Sequence, residues 1–346
     1  MSDTKTVLVT GASGFIGLHC IHQLLQGGYD VRGTVRSAAR GEQVRKILAD
    51  HLSDTNALSF AVVDLTRDEG WQAAVAGCDY VLHVASPIPE KLPRDENELI
   101  IPAREGTLRV LKAAALAGVT KTVMTSSIAA MGANNVSVNN QVLNEGDWTD
   151  VEAKNTDVYA KSKTLAERAA WNFMESSESG EMALTAINPG VVFGPVLGDH
   201  AGTTANLVKK ILDRKLPACP NVYFPVVDVR DVASAHILAM TNSDADDQRL
   251  ACTSTGLWIV EMAKILDAEY AARGFKVPTG KMPDWLFRTV AIFDRSMQSV
   301  LPNLGKRYEV ENRLIKEVLD WQPRGAEEML IDLADSLIKY GIVKGK

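Results

Sequence analysis

The stretch TVLVTGASGFIG, Thr6–Gly17, decides the fold of this 346-residue chain. A short β-rich run, Thr6–Thr10, passes directly into glycines at 11, 14 and 17. An apolar-periodic segment follows, with Ile16, Cys20, Leu24 and Leu25 on one side. In a G-x-x-G-x-x-G turn the first glycine permits a tight turn, the second lets backbone approach a pyrophosphate, and the third lets helix pack on strand. The helix N-terminus then offers unpaired N–H groups to phosphates. Glycines also serve plain turns, and the strand–turn–helix context is what the phosphate reading requires. Gly11, Ser13, Gly14, Phe15, Ile16 and Gly17 are therefore the candidate dinucleotide-binding residues.

Outward from this turn, short apolar runs alternate with helical periodicities. The pattern predicts strands at 31–35, 60–63, 80–84, 122–125 and 183–188, and helices at 15–27, 41–52, 71–76, 96–117 and 157–176. Continuously apolar strands separated by helices imply a parallel sheet covered on both faces, the doubly wound α/β (Rossmann) architecture. After Pro189 the rhythm breaks into NPGVVFGPVLG, and 224–229 reads as a further strand before a helix at 230–240. The expected division is a nucleotide-binding domain of residues 1–190 plus about 224–255. A smaller, discontinuous C-terminal substrate lobe takes about 191–223 plus 256–346.

Composition narrows the class. Apolar residues make up 46% and charged residues 23%, as in a folded globular protein. The net charge of -6 is spread along the chain, and no dense Lys/Arg cluster marks a nucleic-acid face. No apolar run reaches the ~18 residues of a membrane span, and the N-terminus lacks secretory-signal features. Cys20, Cys78, Cys219 and Cys252 have neither C-x-x-C nor zinc spacing, so no metal is expected. Cytoplasmic residence, no membrane or nucleic-acid partner, and a monomer or homodimer are the expectations.

At the end of the second strand stands Gly33-Thr34-Val35-Arg36-Ser37, with Arg40 one turn on. An NAD site usually carries Asp or Glu there. A guanidinium instead suits a 2′-phosphate, so NADP(H) is favoured over NAD. Asp64-Leu65, after the third strand, meets the adenine edge or else caps a helix.

Tyr159-Ala-Lys-Ser-Lys163 places a phenol and an ammonium one helical turn apart. The ammonium is expected to lower the phenol's pKa, making Tyr159 a proton donor to a substrate oxygen. Spacing alone is weak, since Tyr340 and Lys344 repeat it without a cofactor site. Thr125-Ser126-Ser127 distinguishes the first pair, because it ends the fifth strand, where open α/β sheets place ligands. Ser127 is the candidate catalytic hydroxyl, with turn capping as the alternative. Asp228, Arg230 and Asp231 form a charged corner read as a cap or interlobe salt bridge. Glu145, Asp147 and Trp148 either wall the site or form a solvated loop.

Together TGASGFIG, HVASP at 83–87, TSS at 125–127, YAKSK at 159–163 and NPGVVFGP at 188–195 resemble the extended short-chain dehydrogenase/reductase family. The similarity is greatest to its dihydroflavonol reductase, cinnamoyl-CoA reductase and yeast-type aldehyde and ketone reductase branch. The resemblance implies Ser127, Tyr159 and Lys163 as catalytic residues, with Arg36 at the 2′-phosphate. Val84, Ala85 and Ser86 would lie at the nicotinamide ribose, and Pro189, Gly190, Val191 and Val192 along the nicotinamide. Family members often carry Asn-Gly-Thr where this chain has Glu105-Gly106-Thr107, which puts the usual proton relay in question.

The expected activity is NADPH-dependent reduction of a bulky or aromatic aldehyde or ketone. The expected apolar wall is Ile128, Met131, Val192, Phe193, Trp285 and Phe287. Two alternatives stay open: an NAD-dependent nucleotide-sugar epimerase or dehydratase, and a non-catalytic NADP-binding regulator.

Overall fold

The computed structural model describes residues 4–87, 95–133, 140–154, 156–199, 202, 204–293 and 301–344. In chain order it runs β1 (Thr6–Val9), α1 (Phe15–Gln26), β2 (Asp30–Val35), α2 (Ala38–Ala49), β3 (Leu58–Val62), α3 (Trp71–Val75), β4 (Tyr80–His83), α4 (Asn97–Leu116), β5 (Lys121–Thr125), β6 (Gln141–Leu143), α5 (Val158–Met174), β7 (Ala183–Pro189) and β8 (Val191–Phe193). It continues through α6 (Ala205–Leu212), β9 (Tyr223–Asp228), α7 (Val229–Thr241), β10 (Arg249–Cys252), β11 (Thr255–Trp258), α8 (Ile259–Tyr270), α9 (Asp284–Phe293) and β12 (Tyr308–Val310), and two helices, Arg313–Leu319 and Ala326–Lys339, close the chain.

Seven strands form one parallel sheet in the order β10-β7-β5-β4-β1-β2-β3. The strand order reverses between β1 and β4, which opens the ligand crevice of a doubly wound sheet at their carboxyl ends. Strand alternation divides the core. Val7 and Val9 face the layer holding Ile21, Leu24, Val232 and Ala235, whereas Leu8 faces the layer holding Val110, Leu111 and Phe173. Both faces are thus covered, as the apolar strands required.

A second sheet, β11-β9-β8, and the pair β12-β6 lie outside the large one. The small lobe's core holds Phe193, Val208, Met262, Leu266, Phe287 and Leu333. In the 224–255 segment, β10 joins the seven-stranded sheet while β9 hydrogen-bonds to β8 and β11. α2 begins at Ala38, ahead of the expected Gly41, because the Ser37 hydroxyl accepts from the Arg40 N–H and caps it.

The charged corner joins elements far apart in sequence. Buried Asp228 caps α7 and holds the Arg230 guanidinium at 2.7 and 2.9 Å. Arg230 in turn pairs with Asp332 of the closing helix at 2.6 Å. Asp231 binds Arg324, completing a cap and salt-bridge cluster. Among the described residues no helix is long and apolar enough to cross a membrane.

Among the described residues, three histidines are buried in this frame. His19 meets the Pro195 carbonyl, His83 lies between Thr10 and Thr107, and His236 lies between Thr125 and the Val232 carbonyl. Burial lowers them from 6.5 to about 4, about 3 and about 4 respectively. Their folded-state pKa values are depressed, so the unfolded chain binds protons first. Their contribution to stability is full above 6.5 and is lost as pH falls toward the folded values. Urea unfolding should therefore show stability falling from about pH 7 to about pH 5, each histidine adding up to ~1.4 kcal/mol per pH unit.

Candidate active site

At the switch point the backbone is tightly packed. Gly11 adopts φ +69, and a Cβ there would lie 3.0 Å from the Ala85 Cα. A Cβ on Gly17 would lie 2.3 Å from the Gly11 carbonyl oxygen, so helix and turn touch backbone to backbone. The Gly11 N–H donates to the Thr34 hydroxyl at 3.1 Å, fixing the turn on β2. Gly14 occupies the N-cap of α1 and offers no side-chain cap, leaving first-turn donors for an anion. Phe15 and Ile16 pack their side chains toward the two cores, and Ser13 is partly exposed. These residues fit a dinucleotide pyrophosphate.

Arg36 is exposed at the end of β2, with Asp64 near enough to feel its charge. Arg40 holds Gln43 at 2.9 Å. The Asp64 carboxylate is engaged locally, accepting from the N–H and hydroxyl of Thr66 at 2.8 Å each, which makes it a turn cap. The Leu65 side chain packs against Gly106. Ala85 faces Gly11, with its N–H on the Thr10 hydroxyl at 3.0 Å, and Val84 and Ser86 flank it in sequence, partly buried. Pro189 ends β7, and Val191 and Val192 follow, partly buried.

Ser127, Tyr159 and Lys163 come together beside this turn. Asp157 caps α5 by accepting from the Ala160 N–H at 3.0 Å, which starts the helix just ahead of Tyr159. Ser127 caps the 3-10 turn Ile128–Met131, accepting from Ala129 at 3.1 Å, and its hydroxyl also reaches the Tyr159 phenol. Both sequence readings of Ser127 thus describe one hydroxyl. The Lys163 ammonium donates to the Thr125 carbonyl at 3.3 Å. His83 connects the halves: its Nδ1 meets Thr10, the residue before Gly11, and its ring feels the Lys163 charge.

The electrostatics depart from expectation. Burial raises the Tyr159 phenol above 10.0, Ser127 pulls it down, and the charge of Asp157 raises it. The residue is 38% exposed, so solvent screens part of this effect. Burial, not the charge of Lys163, dominates the phenol. Burial lowers Lys163 to about 8, against the opposing charge of Glu167. The phenol therefore stays protonated at neutral pH, ready to donate.

The wall candidates scatter. Phe193 and Phe287 are in the small-lobe core, and Ile128 and Met131 pack with Leu143 and Tyr223. Trp285 is 69% exposed. Glu105 faces Arg104 at 2.8 Å on the outer side of α4, half exposed. Tyr340 donates to the Leu197 carbonyl at 3.0 Å, tying the closing helix to the loop after β8.

Sequence reasoning missed Glu167, Asn188 and Arg249. The Asn188 amide donates to the Ser127 carbonyl at 3.1 Å and to Glu167 at 2.9 Å. Glu167 also pairs with Arg249 at 2.6 Å. Arg249 holds the Glu145 and Asp147 carbonyls and stacks on Trp148, so this loop is anchored. The i+4 spacing from Lys163 to Glu167 was the available signal.

A glycine turn at the switch point of a doubly wound sheet, facing a serine–tyrosine–lysine cluster, defines a dinucleotide-dependent class of protein. Residues 8–262 match the 3-beta hydroxysteroid dehydrogenase/isomerase family, and the chain belongs to it. An uncharacterized oxidoreductase of Schizosaccharomyces pombe is 35% identical, covering 77% of this chain and 82% of its own. A Vitis vinifera anthocyanidin reductase is 32% identical, covering 80% and 83%. The crystal structure of yeast methylglyoxal/isovaleraldehyde reductase Gre2 complexed with NADPH superposes with a TM-score of 0.80 at 28% identity, covering 97% and 99%.

The Gly17 contact makes a direct test. Gly17→Ala should destabilise the protein by about 2 kcal/mol or more in urea unfolding, because two backbones must part. Gly14→Ala, whose Cβ would meet the Gly11 oxygen at 3.2 Å, should stay within about 1 kcal/mol of wild type.

Proposed function

We propose that this protein is an NADPH-dependent reductase of aldehydes or ketones. The observation that carries the reading is the convergence of Ser127, Tyr159 and Lys163 beside the Gly11–Gly17 turn. The methylglyoxal/isovaleraldehyde and anthocyanidin reductases among its relatives support carbonyl reduction, and the NADPH complex of Gre2 supports the cofactor.

The Gly11–Gly17 turn and the α1 N-terminus would hold the pyrophosphate, and Arg36 the 2′-phosphate. When bound, NADPH supplies the hydride that reaches the carbonyl carbon. The hydroxyls of Ser127 and Tyr159 bind and polarise the carbonyl oxygen, and the Tyr159 proton passes to that oxygen as negative charge develops. The raised phenol pKa keeps this proton in place until then. Lys163, one helical turn beyond Tyr159 and held on the Thr125 carbonyl, would bind ribose hydroxyls of the cofactor. The dinucleotide unit is the seven-stranded sheet with its helices, to which α7 and β10 return. The segments of β8, β9, β11 and α8 form the substrate lobe. The protein works in the cytoplasm, in keeping with four free, buried cysteines.

Two measurements test this. Tyr159→Phe should lower kcat for NADPH-dependent reduction across an aldehyde and ketone panel by at least ~100-fold. Near-full retention would defeat the mechanism. Arg36→Glu should lower kcat/KM with NADPH by ~10- to 100-fold while leaving NADH turnover within a few fold. An equal loss with both cofactors would remove Arg36 from the 2′-phosphate.

A further inference from the structure

Glu167 has no solvent exposure, yet its carboxylate is fully used. One oxygen accepts from the Ser126 hydroxyl and, at 2.9 Å, from the Asn188 amide. The other accepts from Arg249 Nε at 2.6 Å and Trp171 Nε1 at 3.3 Å. These donors come from the β5 end, β7, β10 and α5 itself. Asn188 passes the hold on, because the same amide donates to the Ser127 carbonyl at 3.1 Å. Glu167 is also one turn beyond Lys163, two beyond Tyr159, on the same face of α5.

A plain packing role does not account for this placement. Burying a carboxylate is costly, and an apolar side chain of similar size would fill the space. The partners the carboxylate selects are those that bracket Ser127, with Ser126 before it in sequence and Asn188 on its carbonyl. The titratable groups that act on Lys163 or feel its charge are Glu167 on the same helix, α5, and His83 on β4. Beyond Glu167 lies Arg249 on β10, which holds the Glu145 and Asp147 carbonyls.

We infer that Glu167 is a positioning residue for carbonyl reduction, fixing Ser127 through Ser126 and Asn188. Its charge also favours the ammonium form of Lys163. This rests on the reductase reading for its kinetic consequences, but not for its effect on Lys163.

The test is Glu167→Gln, with Glu167→Asp as the charge-conserving control. Lysine-selective carbon-13 NMR titration of the cofactor-free protein reads the Lys163 pKa whatever the activity. Removing the carboxylate should move it down, and Glu167→Asp should leave it near wild type. In steady state, kcat of Glu167→Gln should fall ~10- to 100-fold through misplacement of Ser127, with the NADPH Kd held within a few fold. Its alkaline limb should shift to lower pH. An unmoved Lys163 titration, or a kcat loss explained by the folded fraction alone with an unmoved limb, overturns the inference. If Glu167→Gln does not fold because Arg249 is stranded, the double variant Glu167→Gln/Arg249→Met removes that cation. It should show the same kcat loss, and wild-type kcat in it would equally overturn the role. Absence of wild-type turnover on every carbonyl would defeat the reductase reading, while the NMR titration would still decide the charge effect of Glu167.

Discussion

The ion pair of Glu167 and Arg249 is where α5 meets the edge strand β10, and the catalytic half of the crevice is assembled around it. The acid is fully buried and the guanidinium nearly so. Such a pair adds little net stability, since desolvation offsets much of the attraction. It is intolerant of misplacement instead, because a shift of α5 along β5 would strand both charges and the Ser126 and Asn188 donors together. The pair thus selects one register for the helix carrying Tyr159 and Lys163. The Trp148 ring stacked on Arg249 at 3.7 Å extends that register to the loop before the helix.

The other half of the crevice obeys a steric constraint. Gly11, Gly17 and Ala85 are packed as closely as backbones allow, which sets α1 against the ends of β1 and β4. His83 bridges the halves as a neutral ring, hydrogen-bonded to Thr10 and within the field of Lys163. A neutral neighbour leaves Lys163 with one carboxylate to favour its charge and burial to oppose it. That balance holds the ammonium at about 8, while burial separately leaves the Tyr159 phenol above its ordinary value.

Much of this was legible in the sequence because it is local. Thr6–Gly17 carries strand, turn and helix in one stretch, and the apolar runs of β1, β4 and β5 announce a sheet covered on both faces. The Ser127, Tyr159 and Lys163 set could be read from a strand end and a helical spacing. What was illegible is non-local or too short. Three-residue strands such as β6, β8 and β12 have no periodicity to detect. The Glu167–Arg249 pair spans 82 positions, and nothing near Arg249 marks it as a partner. The direction of the Tyr159 shift differs from expectation because spacing along the helix does not reveal the burial that raises the phenol. The substrate wall was read from residue type alone, and aromatic character could not distinguish a buried core ring at Phe287 from an exposed one at Trp285.

The central claim is that the crevice passes a hydride from NADPH to a carbonyl carbon while Tyr159 protonates the oxygen. The most direct measurement supplies NADPH with both hydrogens of its hydride-donating carbon replaced by deuterium, with an aldehyde turned over by the wild-type enzyme, and locates the label in the alcohol by mass spectrometry. The account predicts one deuterium on the carbinol carbon for each NADPH consumed. Consumption of NADPH without label on that carbon would contradict it.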